Sequence, residues 1–414
     1  MINDFASLFQ NDFYIKSSDF IYTTWPVWLP LLLITLLLHT WLSYKRREWI
    51  RKQGSVLLEI KIPRDIVKTP AAMEMVLEGI WEDVVGSLTD VYIEGRVRDW
   101  SSLEIVSLGG EVKFFIWAFP KWKHIIESRI YTHYPGAEVF EAKDYALDLF
   151  YDPEKVNASG INTKLVKADA YPIKTYIEYE LDKDNKEQEE IVDPIVPVLE
   201  YLGTLKPGEV AGIQIMIQAH RKESFQDARL IPKPDWTGGI KEEIKKAIDK
   251  ESYVRPAEGK PQTLQHLTKT QGDTIAAMER NAGKLAFDTM MRVLYIAPTD
   301  IFLKTRLMGL IGSMRQFGSK NLNGIRPNKF YPGITYPWED FLDIRKKKNL
   351  RVLVDSYKRR SFFNVPYRHL DGKPYVLTVE ELATIFHFPG MLATTPTLTR
   401  VPSKKAEAPS NLPV

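Results

Sequence analysis

From Trp25 to Leu42 the chain reads WPVWLPLLLITLLLHTWL, a run without a charged residue. A helix needs about 20 mostly apolar residues to cross a bilayer, within a range of roughly 17–25, and Ile21 and Tyr22 extend this run. Trp25, Trp28 and Trp41 stand at its two ends, where indole rings favour the headgroup region. Lys45, Arg46, Arg47, Arg51 and Lys52 follow directly. The pattern predicts one transmembrane helix over 25–44. The positive-inside rule then leaves the chain from Lys45 onward in the cytoplasm and residues 1–24 outside. The expectation is a single-pass protein of the inner, cytoplasmic membrane. A cleaved signal peptide would carry its positive charge ahead of the apolar run and end at a small-residue site. Here Asp4, Asp12 and Asp19 outnumber Lys16 ahead of the run, and no such site follows. A buried soluble helix would keep a polar face, which this run lacks.

The 414 residues leave room for two or three domains. The chain has no cysteine, which removes disulfides, thiolate metal sites and thiol catalysis together. The net charge of +3 is too small to select a partner.

Past the span, Val56–Pro63 reads as a strand and Ala71–Val85 as a helix, with Thr69 as its N-cap and Pro70 in its first turn. Leu103–Leu108 and Val112–Ala118 flank Gly109-Gly110, a hairpin signal. Lys121–Tyr134 has helical spacing and Ala137–Glu141 is short and β-like. The order β-α-β-β-α-β predicts a ferredoxin-like domain over 55–150, with another α+β arrangement of the same pieces as the alternative.

A second ferredoxin-like or related α+β domain is expected over 165–320. Its expected pieces are a strand at Tyr171–Tyr179, a charged loop at Leu181–Glu190, a helix at Pro194–Leu205 and a strand at Gly212–Ala219. They continue with a helix over Asp273–Met291 with Gly283 inside it, a strand at Arg292–Ala297 and a helix over Asp300–Arg315 capped by Thr299 or Asp300. Residues 221–269 are polar and interrupted by Pro and Gly, and read as an exposed insertion with a solvated helix at Ile240–Asp249. Residues 321–393 read as irregular and basic, apart from a helix over Thr378–Phe386 with Thr378 as N-cap and Glu381 completing a capping box. Residues 394–414 read as a Pro/Ser/Lys-rich linker.

Chemistry is sparse. No GxxxxGK[ST] stretch occurs, and Gly309, Gly312 and Gly318 suit helix packing or a helix stop better than a phosphate loop. The seven histidines are scattered, with no HExxH and no close carboxylate pair. His39 lies in the span, near its cytoplasmic end, where an imidazole reaches the interface. No catalytic, cofactor-binding or metal residue is assigned. Between Phe341 and Lys405, thirteen Lys and Arg face five Asp and Glu, a net +8. Lys346, Lys347, Lys348, Lys358, Arg359 and Arg360 form two clusters, the second followed by Phe362 and Phe363. Cations beside aromatic rings suit nucleic acid. The alternatives are a contact with anionic lipid and a solvated charged face.

Several stretches look alike in kind to one family. They are LLEIKIPRDIVKTPAAMEMVLEGIW (57–81), EVKFFIWAFPKWKHIIESRIYTHYPGAEV (111–139), GKLAFDTMMRVLYIA (283–297), and VEELATIFHFPG with TTPTLTRVPSKKAEAPSNLPV within 379–414. They resemble the membrane-proximal region of type IV secretion and conjugative coupling ATPases of the HerA-like class, over most of residues 50–414. The resemblance implies a non-catalytic module at the membrane beside a hexameric P-loop ATPase. The Walker residues of that family have no matching positions here, so no catalytic residue carries over and the motor is expected to be separate or missing. The expected partners are the membrane, that ATPase, DNA and further copies of this chain. The competing expectation is a membrane-anchored scaffold or lipid-surface protein unconnected with secretion.

Overall fold

The computed structural model describes residues 12–63, 68–182, 192–223, 236–251, 268–334, 336–390 and 400–401. The chain divides into two compact units, residues 1–52 with 86–97, and residues 53–85 with 98–414.

In the first unit, helix α1 runs Asp12–Gln53. At 1.5 Å per residue it extends about 63 Å. The expected span over 25–44 is its middle, and Tyr22–Gln53 is long and apolar enough to cross a membrane. Leu31 to Ile34 and Leu36 to Leu38 are each more than half exposed, so none of the described residues covers them. The hydroxyls of Thr23, Thr24 and Thr40 donate to the carbonyls of Asp19, Phe20 and Leu36, which hides their polarity against the helix. The expected extracytoplasmic stretch 1–24 is helical from Asp12, and residues 1–11 lie outside the described residues. Segment 86–97, to which the sequence assigned no element, folds against this helix. Trp41 Nε1 donates to the Tyr92 carbonyl at 3.0 Å. Gly95 has φ +79°, and a Cβ there would stand 2.4 Å from the Lys45 carbonyl carbon, so only glycine permits the approach.

The second unit is a mixed α+β body around a large, mostly antiparallel sheet. Its elements are β1 (Val56–Pro63), α2 (Ala71–Gly79), β2 (Ser101–Leu108), β3 (Glu111–Ala118), α3 (Lys123–His133), β4 (Glu138–Glu141) and β5 (Val156–Leu165). There follow α4 (Val196–Gly203), β6 (Val210–Ala219), α5 (Trp236–Glu251), α6 (Lys269–Ala282), β7 (Ala286–Pro298), α7 (Lys304–Ser313) and β8 (Ile325–Tyr331). The last are α8 (Ile344–Lys358), β9 (Tyr375–Thr378), α9 (Val379–Ile385) and β10 (Arg400–Val401). The strand order is β10-β1-β3-β2-β6-β7-β5-β8, with β4 also on β1 and β9 on β7. Strands β2 and β6 pair over Ser101–Leu108, so one sheet joins the strands expected in separate domains.

The central strands β2, β6 and β7 are buried on both faces. On one, Phe114 meets Phe386 and Phe388 edge-on at 5.7 and 5.2 Å, and Tyr134 meets Phe388 at 4.8 Å. The Phe-His-Phe-Pro stretch is therefore a core plug. On the other, Glu104, Gln214, Arg292 and Asn162 stand side by side on β2, β6, β7 and β5, all with no exposed surface.

Several sequence expectations change. Tyr171–Tyr179 is not a strand, because α9 and a local turn take its backbone donors: Ile173 N–H bonds Glu381, Thr175 N–H bonds Glu178 and Tyr176 N–H bonds Thr384. The strand is β5, VNASGINTKL, whose Asn, Ser and Gly hide it from propensity. The helix expected to Met291 ends at Ala282 with Gly283 as its cap, and residues 286–291 pair with β6 and β9 instead. The helix expected over Ala71–Val85 stops at Gly79, and its N-cap is Pro70 with no side-chain cap, not Thr69. The helix expected from Asp300 starts at Lys304 without a cap from Thr299 or Asp300. Gly309 does pack closely, since a Cβ there would stand 2.1 Å from the Tyr201 hydroxyl. Residues 321–393 are not irregular, holding β8, α8, β9 and α9; the Thr378–Glu381 capping box forms as expected. Most of the charged loop at 181–190, parts of the 221–269 insertion and nearly all of 394–414 lie outside the described residues.

Candidate anion-binding surface

Helix α8 gathers the basic residues. Its apolar positions Leu350, Leu353, Val354 and Tyr357 recur at helical spacing and are buried. Two glycines let it lie close on the sheet. A Cβ on Gly160 would stand 2.9 Å from Leu353 Cδ2, and one on Gly212 would stand 2.0 Å from the Tyr357 hydroxyl. With that face fixed, Lys347, Lys348 and Arg351 fall on the exposed side.

These three cations line an open cleft of about 590 Å³ together with Ile344, Val352, Asp355 and Tyr367. None of the three forms an ion pair with a described residue. Asp355, the acid in the cleft, is engaged by Arg359 Nε at 2.8 Å and by the Tyr367 hydroxyl at 2.7 Å. Burial pushes the Asp355 carboxyl up, but the Arg359 and Tyr367 hydrogen bonds outweigh it and hold it below the usual range. Lys346 is half-buried, 3.7 Å from Asp343. No acid occurs between Ile344 and Val354. The cleft is therefore cationic and suits an anionic group.

The second basic cluster is not a single surface. Only Lys358 lies within α8; Arg359 caps it and Arg360 takes φ +45°, so the three side chains diverge. Lys358 Nζ donates to the Leu147 carbonyl at 3.1 Å and Arg359 pairs with Asp355. Arg360 is 1% exposed. Its Nε and Nη2 donate to the two Glu104 oxygens at 2.9 and 3.1 Å, and Asp144 binds it as well. Ser102, Tyr145 and Gln214 also donate to Glu104, at 2.8, 2.7 and 2.9 Å. Burial alone would push the Glu104 carboxyl up; the Arg360 charge and these bonds hold it below the usual range. Phe362 and Phe363 are buried too. The stacking surface expected beside Lys358–Arg360 is thus core.

A feature with no warning in the charge pattern precedes the cleft. Trp338 is 79% exposed, Phe341 81%, Leu342 68% and Ile344 61%. Tyr336 stacks on Trp338, with centroids 4.7 Å apart and planes at 7°. The run of apolar residues among turn formers was the available signal.

On α1, Lys45 and Lys52 both pair with Glu48, at 3.2 and 2.8 Å, while Arg47 and Arg51 are exposed and Arg46 is half-buried. Two histidines meet carboxylates inside the protein: His220 with Asp288 at 2.8 Å and His387 with Asp193 at 3.0 Å. Among the described residues no group of three His, Asp or Glu is placed to hold a metal.

Residues 36–400 match a family described as a domain of unknown function, DUF8128. The match covers well over half of the chain, which belongs to that family. No curated protein matches it.

Proposed function

We propose that this member of the DUF8128 family is a membrane-anchored, non-catalytic module of a type IV secretion- or conjugation-like translocation apparatus. In this reading it docks on a P-loop ATPase motor. The observation that carries it is α1, an apolar helix that runs unbroken into Lys45–Lys52 and then into a large α+β body. The positive residues set the body on the cytoplasmic side of the inner membrane and the N-terminus outside. The resemblance of residues 57–81, 111–139 and 283–297 supplies the apparatus. We further read β1 to β4 with α2 and α3 as a ferredoxin-like unit, supported by their antiparallel β4-β1-β3-β2 order. The test is a pull-down of the chain from native membranes in mild detergent, followed by mass spectrometry. The reading expects a P-loop ATPase in near-equal amount. Recovery of the chain with lipid alone overturns it in favour of a membrane-anchored scaffold unconnected with secretion.

A further inference from the structure

We infer that residues 336–351 form a second membrane contact, in which Trp338, Phe341 and Leu342 enter an anionic lipid surface while Lys347, Lys348 and Arg351 bind its headgroups. The exposed apolar residues directly precede the cations in the chain, and Ile344 lines the cleft with them. Leu342 and Asp343 both take left-handed backbone, φ +60° and +56°, at the junction between the loop and α8. That conformation is costly for a leucine and persists where surroundings or function demand it. Exposed Trp, Phe and Leu flanked by Lys and Arg is the composition of segments that lie in the bilayer interface. Single-stranded nucleic acid fits less well, since it is held by stacking on open ring faces. Leu342 and Ile344 have no ring, and Tyr336 and Trp338 cover one face of each other. The cleft beside the loop has the charge that a phosphate or serine-carboxylate headgroup requires.

This inference rests on the membrane-spanning reading of α1 and not on the ATPase reading. The natural chain has no cysteine, so single labels are unambiguous. The full chain carrying Phe341→Cys, labelled with an environment-sensitive fluorophore, is reconstituted into phosphatidylcholine vesicles with and without phosphatidylserine. The expected result is blue-shifted emission and protection from acrylamide in the serine-lipid vesicles. Lys347→Ala and Lys348→Ala should each weaken that protection about fivefold, the scale for one basic residue at an anionic surface. A label that stays open to acrylamide in both vesicles overturns the inference. So does protection by an oligonucleotide and not by vesicles. Leu33→Cys, labelled in the same way, reports the span. If it is protected while Phe341→Cys is open, the loop contact fails and the span stands.

Discussion

Replacing Arg360 by alanine should destabilise the second unit by about 3–5 kcal/mol, the range for removing one partner of a buried ion pair. The structure places this substitution in that class. Glu104 has no exposed surface, and Arg360 supplies two of its hydrogen bonds and its countercharge. Tyr145, Gln214 and Ser102 would remain as donors, but none is a cation. Asp144 is partly exposed, 19% at the side chain, and water can replace Arg360 there. The cost therefore falls on Glu104. The assay is urea unfolding of the full chain in detergent, followed by tryptophan fluorescence; Trp117 lies 5.9 Å from the guanidinium. The second arm is the Glu104→Gln, Arg360→Met double variant. It should lose clearly less than the sum of the single losses, because a buried pair replaced by neutral groups is often close to neutral. A loss below about 1 kcal/mol for Arg360→Ala, or strict additivity, refutes the view that this pair is a buried and coupled unit. The wild-type contribution has a direction with pH. The folded Glu104 carboxyl is depressed, so its stabilisation is present above the ordinary carboxylate range and is lost as pH falls through the depressed value.

Glu381 should behave with the opposite sign. Burial, opposed by bonds from Thr378, Ile173 and Asn281, pushes its carboxyl up to about 7. Its contribution is full below the ordinary carboxylate range and is lost as pH rises to about 7, so wild type minus Glu381→Gln stability should fall across that window in unfolding curves. Gly212→Ala should cost about 1–3 kcal/mol by driving Tyr357 off the sheet, read by the same unfolding assay; an unchanged midpoint would refute the close approach. Lys347→Ala, Lys348→Ala and Arg351→Ala should each leave stability within about 0.5 kcal/mol, since all three are exposed and without ion pairs to described residues. A larger loss in thermal melts would mean that the cleft is structural.

Periodicity and punctuation were sufficient wherever a segment's partners are local. The apolar run at 25–42, the Gly109-Gly110 hairpin and the Thr378–Glu381 capping box each depend on residues within a few positions of one another, and each stands where the sequence placed it. Nothing local distinguishes β5 from a loop. Val156–Leu165 is a strand because β7 and β8 lie on either side of it, and a Cβ on Gly160 would meet the Val293 carbonyl on β7 and Leu353, both well over a hundred residues away. Tyr171–Tyr179 has the apolar and aromatic content of a strand, yet its donors go to Glu381, Glu178 and Thr384.

The same division holds for the charged surface. Sequence alone determined that an uncharged apolar run precedes a basic segment and that 341–405 carries excess positive charge, because charge and hydropathy are sums over residues. Which cations are free was decided by tertiary structure. Lys347, Lys348 and Arg351 face solvent because Leu350, Leu353 and Tyr357 hold the other face of α8 against the sheet. Arg360, equal to them in charge, is buried because Glu104 on β2 lies beneath it, and a carboxylate under the sheet's cover requires that cation. Burial is a relation between distant segments, so it can be read only once the chain has folded.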